Sequence, residues 1–318
     1  MRAIDLFSGA GGFTTGATQA GAEVIWAANH WAPAVACHQA NHPHIEHVEQ
    51  DLGEMDWTQV PDADLLLASP ACQGHSPMGQ PARQGTGGNG KVSSRRLRAK
   101  GQRDRNTAYA VLAAADTLRP QSIVVENVVR FQAWEAFDAW LGVLQSFGYS
   151  THVHTLNGLD YGGPQNRRRT IITANQGKPI VLEQSLGLVP PTIAECLEVD
   201  DHADNLWNAI ASKPQGMQAK MRRSQDRNGS RSFWANVDSS RGRRLDEQFP
   251  TACTGSGTQW YLLDGDRGRV LNPREMARTM SLPEDYQLPL GRKLSSILIG
   301  NAIDVKLARG ITEQVLAA

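Results

Sequence analysis

Several things are scarce in this sequence, and each shortage narrows what the protein can be. Cysteine occurs four times in 318 residues, as Cys37, Cys72, Cys196 and Cys253. They lie far apart, with no Cys-x-x-Cys pair to hold zinc and no dense framework to staple a secreted fold, so no metal is expected. No apolar run approaches the ~18 residues of a membrane span. Met1–Asp5 opens into a strand-like segment without a leader's apolar stretch, so a cytoplasmic protein with no membrane partner is expected. Excess charge of either sign is also missing, since 32 Lys and Arg balance 32 Asp and Glu. That excludes a uniformly basic nucleic-acid coat, and any polyanion must be met by a local patch.

What is present is enough to build a core, with 40% hydrophobic and 20% charged residues. The length suits one large domain, or a large one carrying a smaller insert. Short β-like runs at Ala3–Phe7, Glu23–Ala28, Ala63–Ala68, Ser122–Asn127, Thr151–Leu156 and Arg169–Thr173 alternate with helical stretches. The helical stretches are Pro33–Asn41, Asn106–Leu118 and Trp134–Phe147, the last with Trp134, Phe137, Leu141 and Leu144 at helical spacing as core residues. Such alternation predicts an α/β fold with a Rossmann-like, doubly wound, mostly parallel sheet. Toward the end, Asn272–Met280 and Asn301–Leu316 read as helices.

Two stretches break the pattern. From Pro77 to Arg105 the chain is rich in Gly, Ser, Arg and Gln and carries Arg83, Lys91, Arg95, Arg96, Arg98, Lys100, Arg103 and Arg105 against the acid Asp104. Its length exceeds an ordinary βα connection, as functional loops do. The second stretch holds Lys220, Arg222, Arg223, Arg227, Arg231, Arg241, Arg243 and Arg244, interleaved with Phe233 and Trp234. One such run is usually a solvated surface. Two in a chain of zero net charge point to phosphate contacts with a nucleic acid.

Five strand ends carry candidate chemistry. After the first strand, Phe7-Ser8-Gly9-Ala10-Gly11-Gly12 offers a sharp turn into a helix, the usual cradle for a nucleotide-like ligand. The second strand ends at His30-Trp31, where the dinucleotide pattern expects an acid, and Trp31 can stack on an adenine or pack in the core. Asp51-Leu52 follows a possible third strand. Cys72 sits just past the apolar run Leu65–Ala68, where a thiolate with cationic neighbours is a competent nucleophile. Cys37, Cys196 and Cys253 have no such setting and read as inert. Glu126 ends the run Ser122–Val125, an expensive place for a carboxylate unless it is paired, and Gln165-Asn166-Arg167-Arg168-Arg169 supplies a cationic cluster.

Taken in order, these motifs resemble the C5-cytosine DNA methyltransferase family through most of the chain. DLFSGAGG is similar to its cofactor-binding motif, SPACQGHS to its catalytic-cysteine motif, ENV to its glutamate motif and QNRRR to its QxRxR motif. RVLNPREMARTMSLPEDY resembles a later conserved segment, and GNAIDVKLA the final one.

The resemblance implies a class I methyltransferase fold using S-adenosyl-L-methionine, with S-adenosyl-L-homocysteine as product and double-stranded DNA as partner. Cys72 would add to C6 of a flipped cytosine, Glu126 would share a proton with N3, and Arg167 would position the base carbonyl and Glu126, with Gln165 and Arg169 supporting. Phe7, Ser8, Gly9, Gly11, Gly12, His30, Trp31, Asp51, Leu52, Pro70, Asn301 and Ala302 would hold the cofactor. Gln73 and Ser76, then Arg83, Arg95, Arg96, Arg98, Arg222, Arg223, Arg227, Arg231, Arg241, Arg243 and Thr251, would meet DNA.

A discontinuous catalytic domain (1–175 and 268–318) would enclose a target-recognition region (176–267). A monomer and a companion restriction endonuclease complete the expectation. Two departures stand out: Ala71 replaces the family's proline before the cysteine, loosening the turn, and His30 replaces a ribose-binding acid. They keep three alternatives open, namely an RNA methyltransferase of the same architecture, a variant using a carboxylated donor, and a catalytically silent DNA-binding relative.

Overall fold

A computed structural model of the chain describes residues 1–71, 107–198, 207–235, 241–252, 260–289 and 291–318. The strands are β1 (Arg2–Leu6), β2 (Glu23–Asn29), β3 (Glu46–Glu49), β4 (Leu65–Ala68), β5 (Ser122–Val128), β6 (Tyr149–Asn157), β7 (Gln165–Asn166), β8 (Arg168–Gln176), β9 (Asn208–Ala209), β10 (Arg231–Ala235), β11 (Phe249–Pro250), β12 (Trp260–Asp264) and β13 (Arg267–Val270). The helices are α1 (Gly12–Gln19), α2 (Ala32–Asn41), α3 (107–118), α4 (Phe137–Ser146), α5 (Ile193–Cys196), α6 (Gln215–Asn228), α7 (Pro273–Arg278), α8 (Arg292–Asn301) and α9 (Val305–Leu316).

The chain divides into two compact units. The first comprises residues 1–156, 168–184 and 308–318, and the second 157–167 and 185–307. Thus 268–307 group with the second unit.

The first unit is a seven-stranded sheet in the order β3-β2-β1-β4-β5-β8-β6. Pairing is parallel from β3 through β5, and β8 runs antiparallel to β5. β4 is buried along its whole length, as a central parallel strand covered on both faces must be. The core gathers Ile4, Leu6, Trp26, Leu66, Val111, Ile123, Val125, Phe131, Trp140 and Ile172.

The helix expected from Trp134 starts instead at Phe137, and Trp140 rather than Leu141 is sealed, donating from its indole to the Ala108 carbonyl at 2.8 Å. Trp134 belongs to the preceding segment and stacks on Phe131. One helix over Asn301–Leu316 was also expected. Asn301 instead ends α8, and α9 begins at Val305, where Asp304 accepts from the amides of Lys306 and Leu307. A buried aspartate that takes those amides caps a new helix start.

The second unit holds an antiparallel sheet, β10-β12-β13-β9, and a short parallel pair, β11 with β7. Ile210, Met221, Trp234, Tyr261 and Leu263 form its core, so the second basic stretch is in part an amphipathic helix that buries Met221 and Ser224. α7 is started by a capping box between Asn272 and Glu275, with Pro273 in its first turn. Among the described residues no helix is long and apolar enough to cross a membrane.

Candidate active site

In the first unit, β1 ends in a turn whose backbone is left-handed at Phe7, Gly9 and Gly11. Phe7 pays a steric penalty there that the two glycines avoid. The Ser8 amide donates to the Ala28 carbonyl at 3.1 Å and the Gly11 amide to the Ser8 carbonyl at 2.9 Å, closing the turn against β2. No side chain caps α1, so its first amides face the turn without a protein acceptor from a cap. His30 lies exposed just past β2, and Trp31 is half-buried, its amide donating to Asn29 Oδ1 at 3.0 Å. Leu52 is buried beside the exposed Asp51, whose Oδ1 accepts from the Gly53 amide at 2.9 Å.

The segment leading to the cysteine is tied down on both sides. Asn127 donates from Nδ2 to the carbonyl of buried Pro70 at 3.1 Å, and the Ala71 amide donates to Thr107 Oγ1 at 3.0 Å. Proline has no N–H, so Ala71 makes a tether that proline could not; the turn from Cys72 onward, which alanine was expected to loosen, lies outside the described residues. Asn127 and Thr107 were missed in the sequence. Asn127 follows Glu126 directly and was a visible candidate; Thr107, far along the chain, gave no signal. Cys72, Gln73, Ser76, Arg83, Arg95, Arg96 and Arg98 lie outside the described residues, as does Cys253. Cys37 and Cys196 are buried, and burial pushes both thiols up to about 11, which agrees with their inert reading.

At the end of β5, Glu126 is buried and its Oε1 lies 2.9 Å from Arg169 Nε on β8. Register explains the pair. Glu126 faces Ile171 and Val128 faces Arg169, so the two charged side chains are diagonal neighbours on one sheet face. Gln132 donates to Thr155 and Thr170 nearby, bracing β8 against β6. The guanidinium on Glu126 is therefore that of Arg169, where the sequence favoured Arg167.

Gln165 and Arg167 belong to the second unit and are fully buried. Gln165 Oε1 accepts from the Ala252 amide at 2.7 Å, and Arg167 Nη1 donates to the Ala252 carbonyl at 2.9 Å. Gln165 Nε2 continues to Thr279, and Arg167 Nη2 to the carbonyls of Gly300 and Ala302. Both backbone polar groups of one residue, Ala252, are thus clamped by two side chains of the QxR segment. Thr251 Oγ1 donates to the Asn166 carbonyl at 2.5 Å, and Asn301 is exposed.

The basic residues of this unit divide into two sets. Arg231 is paired with Asp264 at 2.9 Å, Arg243 lies 3.9 Å from Glu247, and Arg244 pairs with Asp246. Arg222, Arg223, Arg227 and Arg241 are exposed.

The sheet order with its antiparallel β8, together with the glycine turn after β1 and the carboxylate ending β5, defines a class I methyltransferase. A putative DNA modification methyltransferase encoded within an E. coli prophage shares the fold, with a TM-score of 0.72 and 19% identity over 100% of this chain and 99% of that one. The sequence matches the C-5 cytosine-specific DNA methylase family over residues 1–317. The chain belongs to that family and is an enzyme of the DNA cytosine-5 methyltransferase class.

Type II methyltransferase M.NlaX of Neisseria lactamica is 27% identical over 344 residues, covering 100% of this chain and 97% of that protein. Type II methyltransferase M.AgeI of Thalassovita gelatinovora is 31% identical over 187 residues, covering 54% of this chain and 39% of that protein. These matches favour the DNA cytosine reading over the RNA, carboxylated-donor and silent alternatives.

Proposed function

We propose that the chain methylates C5 of a target cytosine flipped out of duplex DNA, within one sequence context. The observation that carries this reading is the buried Glu126–Arg169 pair at the end of β5, two strand ends away from the glycine turn in one sheet. Flipping costs a few kcal/mol, which contacts to the DNA backbone offset.

Cys72 adds as thiolate to C6 while Glu126 gives a proton to N3, so charge does not build up on the ring. Arg169 orients Glu126. C5 then takes the methyl group, a base removes the C5 proton, and β-elimination releases Cys72. Pro70 and Ala71, held by Asn127 and Thr107, fix where the nucleophile's segment departs.

The donor site is the turn of Phe7, Ser8, Gly9, Gly11 and Gly12, with His30, Trp31, Asp51, Leu52 and Pro70. Its fit to S-adenosyl-L-methionine is supported by the left-handed Gly9 and Gly11 and by the uncapped start of α1. When bound, that donor supplies an electrophilic methyl group and leaves as S-adenosyl-L-homocysteine. No metal takes part.

Residues 1–175 and 268–318 form the catalytic part and 176–267 the recognition part. Gln73, Ser76, Arg83, Arg95, Arg96, Arg98, Arg222, Arg223, Arg227, Arg241 and Thr251 meet the DNA, whereas Arg231 and Arg243 serve their own unit first. The enzyme acts as a monomer on DNA in the cytoplasm. A companion restriction endonuclease fits the Type II names of its relatives.

The test is incubation with S-adenosyl-L-methionine and mixed-sequence duplex DNA, followed by mapping of modified cytosines, with Cys72→Ala as control. 5-Methylcytosine in a fixed context that vanishes in the control is the expected result; its absence from a folded, DNA-binding protein overturns the reading.

A further inference from the structure

Beneath the glycine turn, the first unit contains a chain of buried polar side chains that the mechanism above does not use. Thr14 Oγ1 donates to Asp5 Oδ2 at 2.7 Å, His38 Nε2 lies 3.0 Å from Thr14 Oγ1, and His47 Nε2 lies 2.7 Å from His38 Nδ1. A parallel rung ties Thr15 Oγ1 to the carbonyl of Gly11 at 2.7 Å, with His42 Nε2 at 3.2 Å from the same hydroxyl. His38 lies on α2 and His42 is the residue that ends it, and the two reach two adjacent threonines in the first turns of α1. Asp5, Thr14 and His38 are completely buried, whereas His47 is only half-buried. Among the described residues, Asp5 Oδ1 finds no hydrogen-bond partner.

Each hydroxyl has a single proton, and that fixes the direction of every bond. With Asp5 ionised, Thr14 donates to it, His38 donates from Nε2 to Thr14, and His47 donates from Nε2 to His38 Nδ1. With Asp5 protonated the chain can reverse: Asp5 donates to Thr14, Thr14 to His38 Nε2, and His38 Nδ1 to His47 Nε2, leaving the His47 proton on Nδ1. The two states differ by one proton, which enters or leaves at Nδ1 of the half-buried His47, an atom that is covered in the structure, while each link passes its own proton along.

We propose that Asp5, Thr14, His38 and His47 form a proton relay that positions the glycine turn and makes its hold on a cationic methyl donor depend on pH; this rests on the donor-site reading of that turn. Asp5 is the link that changes charge, because burial pushes its carboxyl up to about 7 against the opposing bonds from Thr14. His38 stays neutral, since burial and then His42, His47 and His44 hold it well below its ordinary value. Burial also lowers His47, opposed by the Ile45 carbonyl and reinforced by His44, and burial carries His42 down to about 4. The groups facing Asp5 and its relay are thus Thr14 and Thr15 from α1, His38 from α2, His42 at its C-terminal cap, His44 from the following loop and His47 from β3. An ionised Asp5 attracts a ligand bearing net positive charge, and a neutral one does not.

Calorimetric titration of the full chain with S-adenosyl-L-methionine and with S-adenosyl-L-homocysteine, between pH 6 and 8, tests the coupling. Nitrogen–proton correlation NMR of the histidine rings tests the relay itself. The cationic donor is expected to bind about tenfold tighter at the higher pH, and the product, which lacks the sulfonium, to gain less. The ring proton of His38 should move from Nδ1 to Nε2 over the same range. Thr14→Val should flatten both changes, and His47→Phe, at a half-buried position, serves if that variant does not fold. An unchanged pH slope in either folded variant, or a His38 ring that keeps one tautomer, overturns the relay. A tautomer switch in a folded protein that binds neither ligand overturns the donor-site reading instead.

Discussion

The amide of Ala71 donates 3.0 Å to the hydroxyl of Thr107, across 36 positions of chain. A residue that departs from the family's proline is thereby used as a donor. Thr107→Val should cost about 1 kcal/mol, the net worth of an ordinary hydrogen bond. Ala71→Pro removes the other partner, so the double variant should lose little beyond the larger single loss in chemical denaturation. Fully additive losses would show that the bond carries no energy.

The Glu126–Arg169 pair should behave as one unit. Glu126→Gln keeps the shape but removes the transferable proton, and single-turnover methylation should slow by about a hundredfold to ten-thousandfold. Arg169→Met leaves a buried carboxylate uncompensated, costing about 3–5 kcal/mol of stability. Arg169→Lys should recover much of that stability but little of the rate, since a compact ammonium does not reproduce the fixed guanidinium geometry. Equal rates in the lysine variant and the parent would remove Arg169 from the mechanism.

The arginines of the second unit should separate by salt dependence. Arg222→Gln, Arg223→Gln and Arg227→Gln should each lower the slope of log affinity for duplex DNA against log salt by up to about 0.9. Arg231→Gln should instead leave the slope alone and cost at most about 1 kcal/mol, because its partner is the half-exposed Asp264. A slope change in Arg231→Gln alone would reverse the assignment.

Stability should respond to pH in two opposed ways. Asp5 is raised to about 7 in the folded chain, so the unfolded chain ionises first and stability falls as pH climbs from about 4 to 7. His42 and His154 are lowered to about 4 by burial, so the unfolded chain protonates first and stability falls as pH drops from 6.5 toward 4. Asp5→Asn should therefore raise the melting temperature at pH 8 relative to the parent and lose that advantage near pH 4. An advantage independent of pH would place the carboxyl's ionisation elsewhere.

Much of this protein is determined by its sequence alone, because the governing interactions are local. The apolar runs that become β1, β2, β4 and β5, the glycines of the first turn and the glutamate ending β5 are all legible as residue types at short spacing. Local rules also place α7, whose cap and proline are adjacent in the chain. Only the tertiary structure decided which arginine serves Glu126: Arg167 and Arg169 are two positions apart in the chain, but β8 begins at Arg168, and its register against β5 brings Arg169 to the carboxylate. Register, burial and the partner found at long range likewise sent Arg167 to the Ala252 carbonyl, Arg231 to Asp264, Thr14 to His38 on α2 and Thr15 to His42 at its end. A hydrogen-bonding side chain has several acceptable partners in sequence space, and packing leaves it one.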